Sequence, residues 1–197
     1  MKQLVVLFLF TASFANGQGL NHQWLLGSYN YFNDPKGRML FDSNIYSLVN
    51  ENRKMPFYGT EANISDVSGN LLMSSNGVWI ANATGDTMMN GGGLNPSAFT
   101  SNWPNGFPIG FTSILLPDPG DSNQFVMIHK TLWGTFFPAI SGLYKSTIDI
   151  TLDNGLGGVV QKNDTILADT LSWGIGACRH ANGRDWWVVV MRDDNPL

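Results

Sequence analysis

Short apolar runs alternate with clusters of turn residues along most of the chain, and few segments show helical spacing. Residues 57–81 hold three such runs, at 57–65, 70–75 and 78–81. The residues from Asp66 to Asn70 are typical of a tight turn, since Gly69 can take a positive φ and Asp and Asn side chains bond their own backbone. Asn76-Gly77 is a second hairpin signal. This stretch predicts a meander of three antiparallel strands.

The same order of strand, acidic or glycine turn and strand occurs again at residues 115–128 and 178–190. Leu71, Phe125 and Trp186 hold matching places after the three turns, so the repeats are 54 and 61 residues apart. A repeat of roughly 40–60 residues built from short antiparallel strands is typical of β-propeller blades.

Two apolar runs, residues 125–128 and 186–191, do not alternate with polar residues. In an antiparallel sheet such a run indicates a strand with both faces buried, as in a blade that packs between two neighbours. We therefore predict an all-β chain that forms part of a β-propeller, with about three blades represented. A β-sandwich is the alternative.

Further strands are predicted at residues 23–29, 38–42, 109–116, 124–130, 142–150, 174–179 and 185–192, weakly at 159–160, and separately at 165–169, while residues 45–49 fit either strand or loop. The early strand at 23–29 could complete a last blade, left here without its partners. Residues 18–197 are then expected to be the N-terminal part of a propeller domain that is truncated at its C-terminus. Such an open arc would expose an apolar blade face and an unpaired edge.

Residues 1–17 have the form of a secretory signal peptide, with Lys2, a short apolar core and small residues near the end. The apolar run is far below the ~20 residues that cross a bilayer, and no other segment is apolar enough to do so. The protein is therefore predicted to be secreted or held at the outer cell surface. Removal of Lys2 changes the net charge from −4 to −5, and no basic run is present, which argues against nucleic acid or anionic membrane partners.

Cys178 is the single cysteine, so no intrachain disulfide can form. A small buried hydrophobe is the favoured interpretation of Cys178. The alternative is a catalytic thiol with His180, two residues away, as its base.

No motif in the sequence names a reaction, and we predict no catalytic residues, metal ligands or cofactor. His22, His129 and His180 lack metal-ligand spacing, and the glycine runs do not open a helix. Residues 66–70 place oxygen atoms at alternate positions, as a calcium loop would, but the glycine is fourth rather than sixth and no glutamate follows at the twelfth position. A structural turn is favoured over a calcium site.

The longest irregular region, residues 83–107, carries Phe99, Trp103 and Phe107 among Asn, Ser and Pro residues. These three aromatic residues are the candidate partner-binding positions, because aromatic side chains bring large contact area at low entropy cost. The stronger alternative is that they pack the loop against the protein. A contact platform would leave Trp103 partly open beside a groove.

Several segments resemble the repeated blade motif of large exported proteins of Bacteroidetes. They are GTEANISDVSGNLLMSSNG at residues 59–77, NGGGLN at 90–95, GLYKSTID at 142–149, LDNGLGGVV at 152–160 and HANGRDWW at 180–187. The resemblance covers about residues 24–190. Proteins of that kind pair a WD40-like propeller with a C-terminal type IX secretion sorting domain, so the resemblance implies a secreted or surface WD40-like propeller whose remaining blades and sorting domain lie outside this chain. It supplies no catalytic residues.

The functional prediction is a non-enzymatic binding or display module for protein or glycan partners. The alternative is a hydrolase that acts on extracellular polysaccharide and is built on a propeller. The lack of a catalytic motif favours the module.

Overall fold

The computed structural model describes residues 20, 22–27, 36–42, 45–133 and 139–193. The predicted signal peptide lies outside these residues. The described part of the chain contains β1 Gln23–Leu26, β2 Lys36–Asp42, β3 Ile45–Glu51, β4 Ala62–Ser65, β5 Leu71–Ser75, β6 Ile80–Ala81, α1 Ala98–Asn102, β7 Ser113–Pro117, β8 Gln124–Trp133, β9 Ala139–Asp149, α2 Leu152–Gly155, β10 Gly158–Leu167, β11 Gly176–Arg179 and β12 Trp186–Val189. Neither short helix comes near the length needed to cross a membrane, and none of the described residues forms a longer one.

The strands form four separate antiparallel sheets, and none of them closes on itself. In chain order they are β1–β2–β3, β4–β5–β6, β7–β8–β9–β10 and β11–β12. Each sheet is a simple meander with its first strand at an edge. A bridge from Ala81 to Thr87 adds a short segment beside β6. The predicted all-β class is confirmed.

The hairpins β4–β5, β7–β8 and β11–β12 share one turn design. Each turn begins at a residue whose backbone N–H bonds across the turn and whose side chain accepts an N–H two residues further on. In the first turn, Asp66 N donates to Asn70 O at 2.8 Å and the Asp66 carboxylate accepts Ser68 N at 2.8 Å. In the second turn, Asp118 N donates to Gln124 O at 2.9 Å and the Asp118 carboxylate accepts Gly120 N at 2.7 Å. In the third turn, His180 N donates to Asp185 O at 2.8 Å and His180 Nδ1 accepts Asn182 N at 3.2 Å. The repeat predicted from the sequence is confirmed at the level of these hairpins.

Several strand predictions were wrong. The early strand is not left without partners, because β1 pairs with β2 along its whole length. Residues 45–49, which fit either strand or loop by sequence, belong to a regular strand, β3 Ile45–Glu51. The two strands expected near residues 159 and 165 form a single strand, β10. Its pairing with β9 contains shifts of register, and these shifts interrupt the apolar pattern along the strand. The link between β5 and β6 is longer than two residues, because Asn76 Oδ1 accepts the N–H groups of both Val78 and Trp79.

Among the described residues, the core consists of three clusters, each between successive sheets. The first and second sheets meet at Leu25, Met55, Phe57 and Ala81. The second and third sheets meet at Ile64, Met73, Ile80, Leu115, Phe125, Met127 and Ile148. The third sheet meets the fourth, with the loop that carries α1, at Phe99, Phe107, Ile128, Leu132, Leu143, Val188 and Val190. The sheets therefore pack on one another in the order of the chain.

The run at residues 125–128 is buried on both faces, as predicted. The run at residues 186–191 is not, because exposure alternates and Trp187, Val189 and Met191 point outward. Cys178, predicted to be buried, is exposed on β11. No described sheet covers this outer side of the β11–β12 hairpin, which accounts for both differences.

Candidate functional site

The first strands of the three matched hairpins, β4, β7 and β11, border one cavity of about 510 Å³. A second space of about 480 Å³ adjoins it at the turn end of the hairpins. The two share four lining residues, Leu20, Pro117, Arg179 and Trp186. We call the combined space the inter-hairpin groove.

Strand β7 presents its free edge to this groove. Lys130 N donates to Thr112 O at 2.9 Å, and Asp118 N donates to Gln124 O at 2.9 Å. Since bonded and non-bonded pairs alternate in an antiparallel ladder, the even-numbered residues of β7 bond to β8. Ser113 and Leu115 therefore direct their backbone N–H and C=O groups away from β8, toward the groove. The Ser113 hydroxyl is also buried and has no hydrogen-bond partner among the described residues.

Trp186 and Arg179 give the groove an aromatic and cationic wall. Trp186 begins β12 and is half-buried, while Arg179 ends β11 and is exposed. The two are directly opposite in the hairpin, and the Arg179 guanidinium lies 5.2 Å from the centre of the Trp186 ring. This arrangement offers a flat apolar surface beside a positive charge, which suits contact with a partner of mixed polarity.

Among the residues that the structure describes, Glu61 is the acidic side chain that lines the 510 Å³ cavity. Partial burial raises the pKa of Glu61 above its ordinary value, and the positive charge of Arg53 opposes that change. Arg53 is itself buried, and it donates to Glu51 Oε2 at 2.8 Å and to Leu26 O at 2.9 Å. Glu61 and Arg179 thus bring opposite charges to the same cavity.

The carboxylates at the turn end of the groove accept hydrogen bonds from within their own turns. Asp66 accepts hydrogen bonds from the backbone of Ser68 and Asn70 and from the Asn70 side chain, at 2.8, 2.8 and 3.0 Å. Partial burial acts to raise the pKa of Asp66, but these hydrogen bonds outweigh it and the pKa is lowered. Asp118 caps the equivalent turn. No cluster of three metal-binding side chains occurs among the described residues.

Leu20, which precedes β1, lines both parts of the groove. Ser65 N donates to Leu20 O at 3.0 Å on the edge of β4 that faces away from β5. The Asn63 side chain donates to Gln23 O at 2.7 Å and accepts Leu25 N at 3.3 Å. These contacts hold β1 beside β4 and continue the series of first strands.

The loop at residues 83–107 does not line the groove. Phe107 has no exposed surface and Phe99 is buried in the same cluster, so these two candidate partner-binding residues are core residues instead. Trp103 is half-buried, with its ring 6.0 Å from Tyr58 and 6.3 Å from Phe99. The reason is the helix α1, whose N-cap Ser97 accepts Thr100 N at 3.1 Å and folds the loop inward.

A buried network of a serine, a histidine and an asparagine joins this loop to the third sheet. Asn95 Nδ2 donates to Gly77 O, which leaves Asn95 Oδ1 as an acceptor for His129 Nδ1 at 2.6 Å. His129 Nε2 then accepts the Ser146 hydroxyl at 2.9 Å. The order matches that of a nucleophilic triad. However, all three side chains are at most 1% exposed and none of them lines the groove, so the network lies in the packed interior of the described residues.

Sequence reasoning placed Trp186 in the repeat but assigned no role to Trp186, Arg179 or Glu61. The available signal was the position of Trp186 directly after the third turn, which matches Leu71 and Phe125. The convergence of three edge strands on one groove is a tertiary feature that spacing alone does not reveal.

Comparison of the chain with models of protein families, with curated proteins and with solved structures finds no match.

Proposed function

We propose that the chain is a WD40-like propeller-type array of β-sheets that acts as a non-enzymatic binding or display module, secreted or at the outer cell surface, for a protein or glycan partner. The observation that carries this proposal is the set of three hairpins of one turn design whose first strands border the inter-hairpin groove.

The sheet arrangement supports the propeller part of the proposal. A propeller places four-stranded meanders around a central channel. The sheet β7–β10 is such a meander, and β4–β6 gains a fourth segment through the bridge at Thr87. The outer strands β4 and β7 of successive sheets border a shared space, as successive blades around an axis would.

The groove supports the binding part. It is concave, of the size of ordinary ligand sites, and combines Trp186, Arg179 and Glu61 with open backbone groups of β7. A glycosidase needs two carboxyl groups that flank the scissile bond. Asp66 and Asp118 line the 480 Å³ part of the groove and accept hydrogen bonds within their own turns. Glu61 lines the 510 Å³ part. This placement favours binding over hydrolysis of polysaccharide.

The test uses the chain without residues 1–17, applied to an array of immobilised extracellular polysaccharides and of immobilised peptides. We expect retention on at least one class of probe without release of reducing sugar ends. Release of reducing ends that Glu61→Gln abolishes would support the hydrolase instead. Retention on neither class of probe would contradict the binding module.

A further inference from the structure

The 510 Å³ part of the inter-hairpin groove follows an edge of strand β7 rather than one of its faces. All five residues of β7, Ser113–Pro117, line it. Since successive side chains of a strand point to opposite faces, a cavity lined by five consecutive residues runs along the edge of the strand. The consecutive residues 61–64 at β4 also line this cavity. The space therefore gives access to the backbone of β7.

This edge of β7 carries backbone groups that are available for hydrogen bonds. The register places Ile114 and Leu116 in the bonded pairs with β8. The N–H and C=O groups of Ser113 and Leu115 therefore point into the cavity. None of the hydrogen bonds between described residues uses these four groups. Pro117 takes the next position on the edge, where the lack of an N–H leaves no donor unpaired, as is usual for proline at a sheet edge.

The side chain of Ser113 adds a second, independent indication of a ligand. Ser113 is 9% exposed and lines the cavity, and its hydroxyl has no hydrogen-bond partner in the described ranges. A buried hydroxyl without a partner costs free energy relative to one that is bonded. An occupant of the cavity that supplies the missing partner would remove this cost. The site therefore suits a polar, hydrogen-bonding chain rather than an apolar one.

The two ends of the cavity differ in the sign of their charge. The turns that follow β4, β7 and β11 line the 480 Å³ part together, so the three strands run in the same direction along the groove. Arg179 lines both parts and thus lies toward the turn end. Glu61 precedes β4 and, of the two parts, lines only the 510 Å³ one. A ligand that lies along β7 would meet a carboxylate at the start of the strand and a guanidinium at its end.

Neighbouring segments of the chain already bond through their backbones to the first strands of the sheets. Ser65 N donates to Leu20 O on the edge of β4 that faces away from β5, and Leu20 lines the groove. Phe111 O, two residues before β7, accepts Ile175 N at 3.0 Å. Among the described segments, none makes such a contact with β7 itself along the cavity. Backbone pairing is thus the kind of contact that this part of the fold makes, and β7 has the groups for one more.

We propose that the 510 Å³ part of the groove binds an extended peptide segment of a partner protein, which adds to β7 as an antiparallel strand. An extended peptide repeats its N–H and C=O groups every two residues, or about 7 Å, as the edge at Ser113 and Leu115 does. A glycan presents hydroxyl groups without this alternation, so the edge favours a peptide. An acidic side chain early in the peptide would meet Arg179, and a basic one late in it would meet Glu61. This inference rests on the proposed function and names the class of partner.

The first test places the backbone of the ligand under examination. The probe is a fluorescent six-residue peptide of alternating threonine and valine between a first aspartate and a last lysine, with both ends blocked. Two derivatives carry N-methyl groups on the odd-numbered or the even-numbered amides, so that in an added strand one set faces β7 and the other faces away. Fluorescence anisotropy with the chain without residues 1–17 measures binding. We expect one derivative to bind at least about tenfold more weakly and the other to bind like the parent.

The second test alters the edge of β7. Ser113→Pro removes the N–H that faces the groove and leaves the bonded pairs of Ile114 and Leu116 in place, so it should weaken binding of the parent peptide at least about tenfold. Ser113→Ala is the matched control, because it removes the hydroxyl and keeps the N–H, and it should weaken binding less. Circular dichroism checks folding, and the methylated pair with the wild type decides the question if Ser113→Pro does not fold.

Three results would overturn strand addition at β7. They are equal binding by the two methylated derivatives, full binding by a folded Ser113→Pro variant, and no binding of the parent peptide up to about 1 mM. Retention on the polysaccharide array without binding of the peptide would overturn this inference and leave the binding module in place. Retention on neither class of probe would contradict the proposed function as well.

Discussion

At the scale of single residues, His129 links burial to pH dependence. Burial lowers the pKa of His129 from 6.5 to about 3. In the unfolded state His129 therefore binds a proton near pH 6.5, whereas in the folded state it binds one only near pH 3. The free energy of unfolding should fall as pH drops below 6.5, by up to about 1.4 kcal/mol per pH unit for this group.

We expect urea unfolding between pH 7 and 5 to show this loss in the wild type and not in His129→Gln. His180→Gln, at the third hairpin turn, serves as the control and should keep the wild-type dependence. Equal acid sensitivity in the wild type and His129→Gln would show that His129 is not the group responsible.

Phe107 and Trp103 test whether the long loop is part of the core. Phe107 is fully buried, with its N–H bonded to Asn76 O and its C=O to Thr60 N, both at 3.0 Å. Phe107→Ala should lower the free energy of unfolding by about 3–5 kcal/mol, as for other buried aromatic residues. Trp103→Ala should cost about 1–3 kcal/mol because only part of the ring is buried. Denaturant unfolding measures both, and equal small losses would contradict the assigned packing.

Asp66 distinguishes a structural turn from a calcium loop. Its carboxylate accepts three hydrogen bonds within the turn, whereas the Asp118 carboxylate accepts the N–H of Gly120 in its own turn. Asp66→Ala should therefore cost about 1–2 kcal/mol of stability, and Asp118→Ala less. Calcium or a chelator should leave the melting temperature of the wild type unchanged. A rise in melting temperature with calcium that Asp66→Ala removes would favour the calcium site.

At the scale of elements, Lys130 connects the third sheet to the fourth. It is buried on β8, and its Nζ donates to the carbonyl oxygens of Ser172 and Gly174 just before β11. Burial lowers the pKa of Lys130 to about 8. Lys130→Met leaves both carbonyl groups without this donor, at a cost of about 1–3 kcal/mol.

Hydrogen exchange should report that loss locally. We expect amides of β11 and β12 to exchange about tenfold faster in Lys130→Met, with β4 and β5 unchanged. Lys145→Met, at a half-exposed position on β9, is the matched control. Uniform acceleration over all four sheets would mean that Lys130 supports the whole fold rather than this connection.

The elements also show what the sequence could predict. Turn chemistry located all three matched hairpins, because Asp66 and Asp118 bond their own backbone and this requirement is local. Strand β10 was missed as one element because its register shifts are set by pairing with β9. The burial of β12 was overestimated because an apolar run does not reveal whether a neighbouring sheet is present.

At the scale of the whole molecule, the four sheets pack on one another in the order in which they occur along the chain. The repeat in the sequence predicted part of this order. The groove could not be predicted, since Glu61, Ser113 and Arg179 are far apart in sequence and meet only when β4, β7 and β11 converge. The loop at residues 83–107 was the candidate binding site because of its composition, with packing against the protein as the stronger alternative. Its buried aromatic residues show that composition does not separate a packed loop from a contact surface.

The most direct test of the proposed function compares groove and loop variants on the polysaccharide and peptide array. Trp186→Leu combined with Arg179→Ser alters the groove wall, and Trp103→Leu alters the loop. Circular dichroism confirms that each variant is folded. The account predicts that the groove variant loses retention at least tenfold while the loop variant keeps it. Full retention by the groove variant together with loss in the loop variant would contradict it.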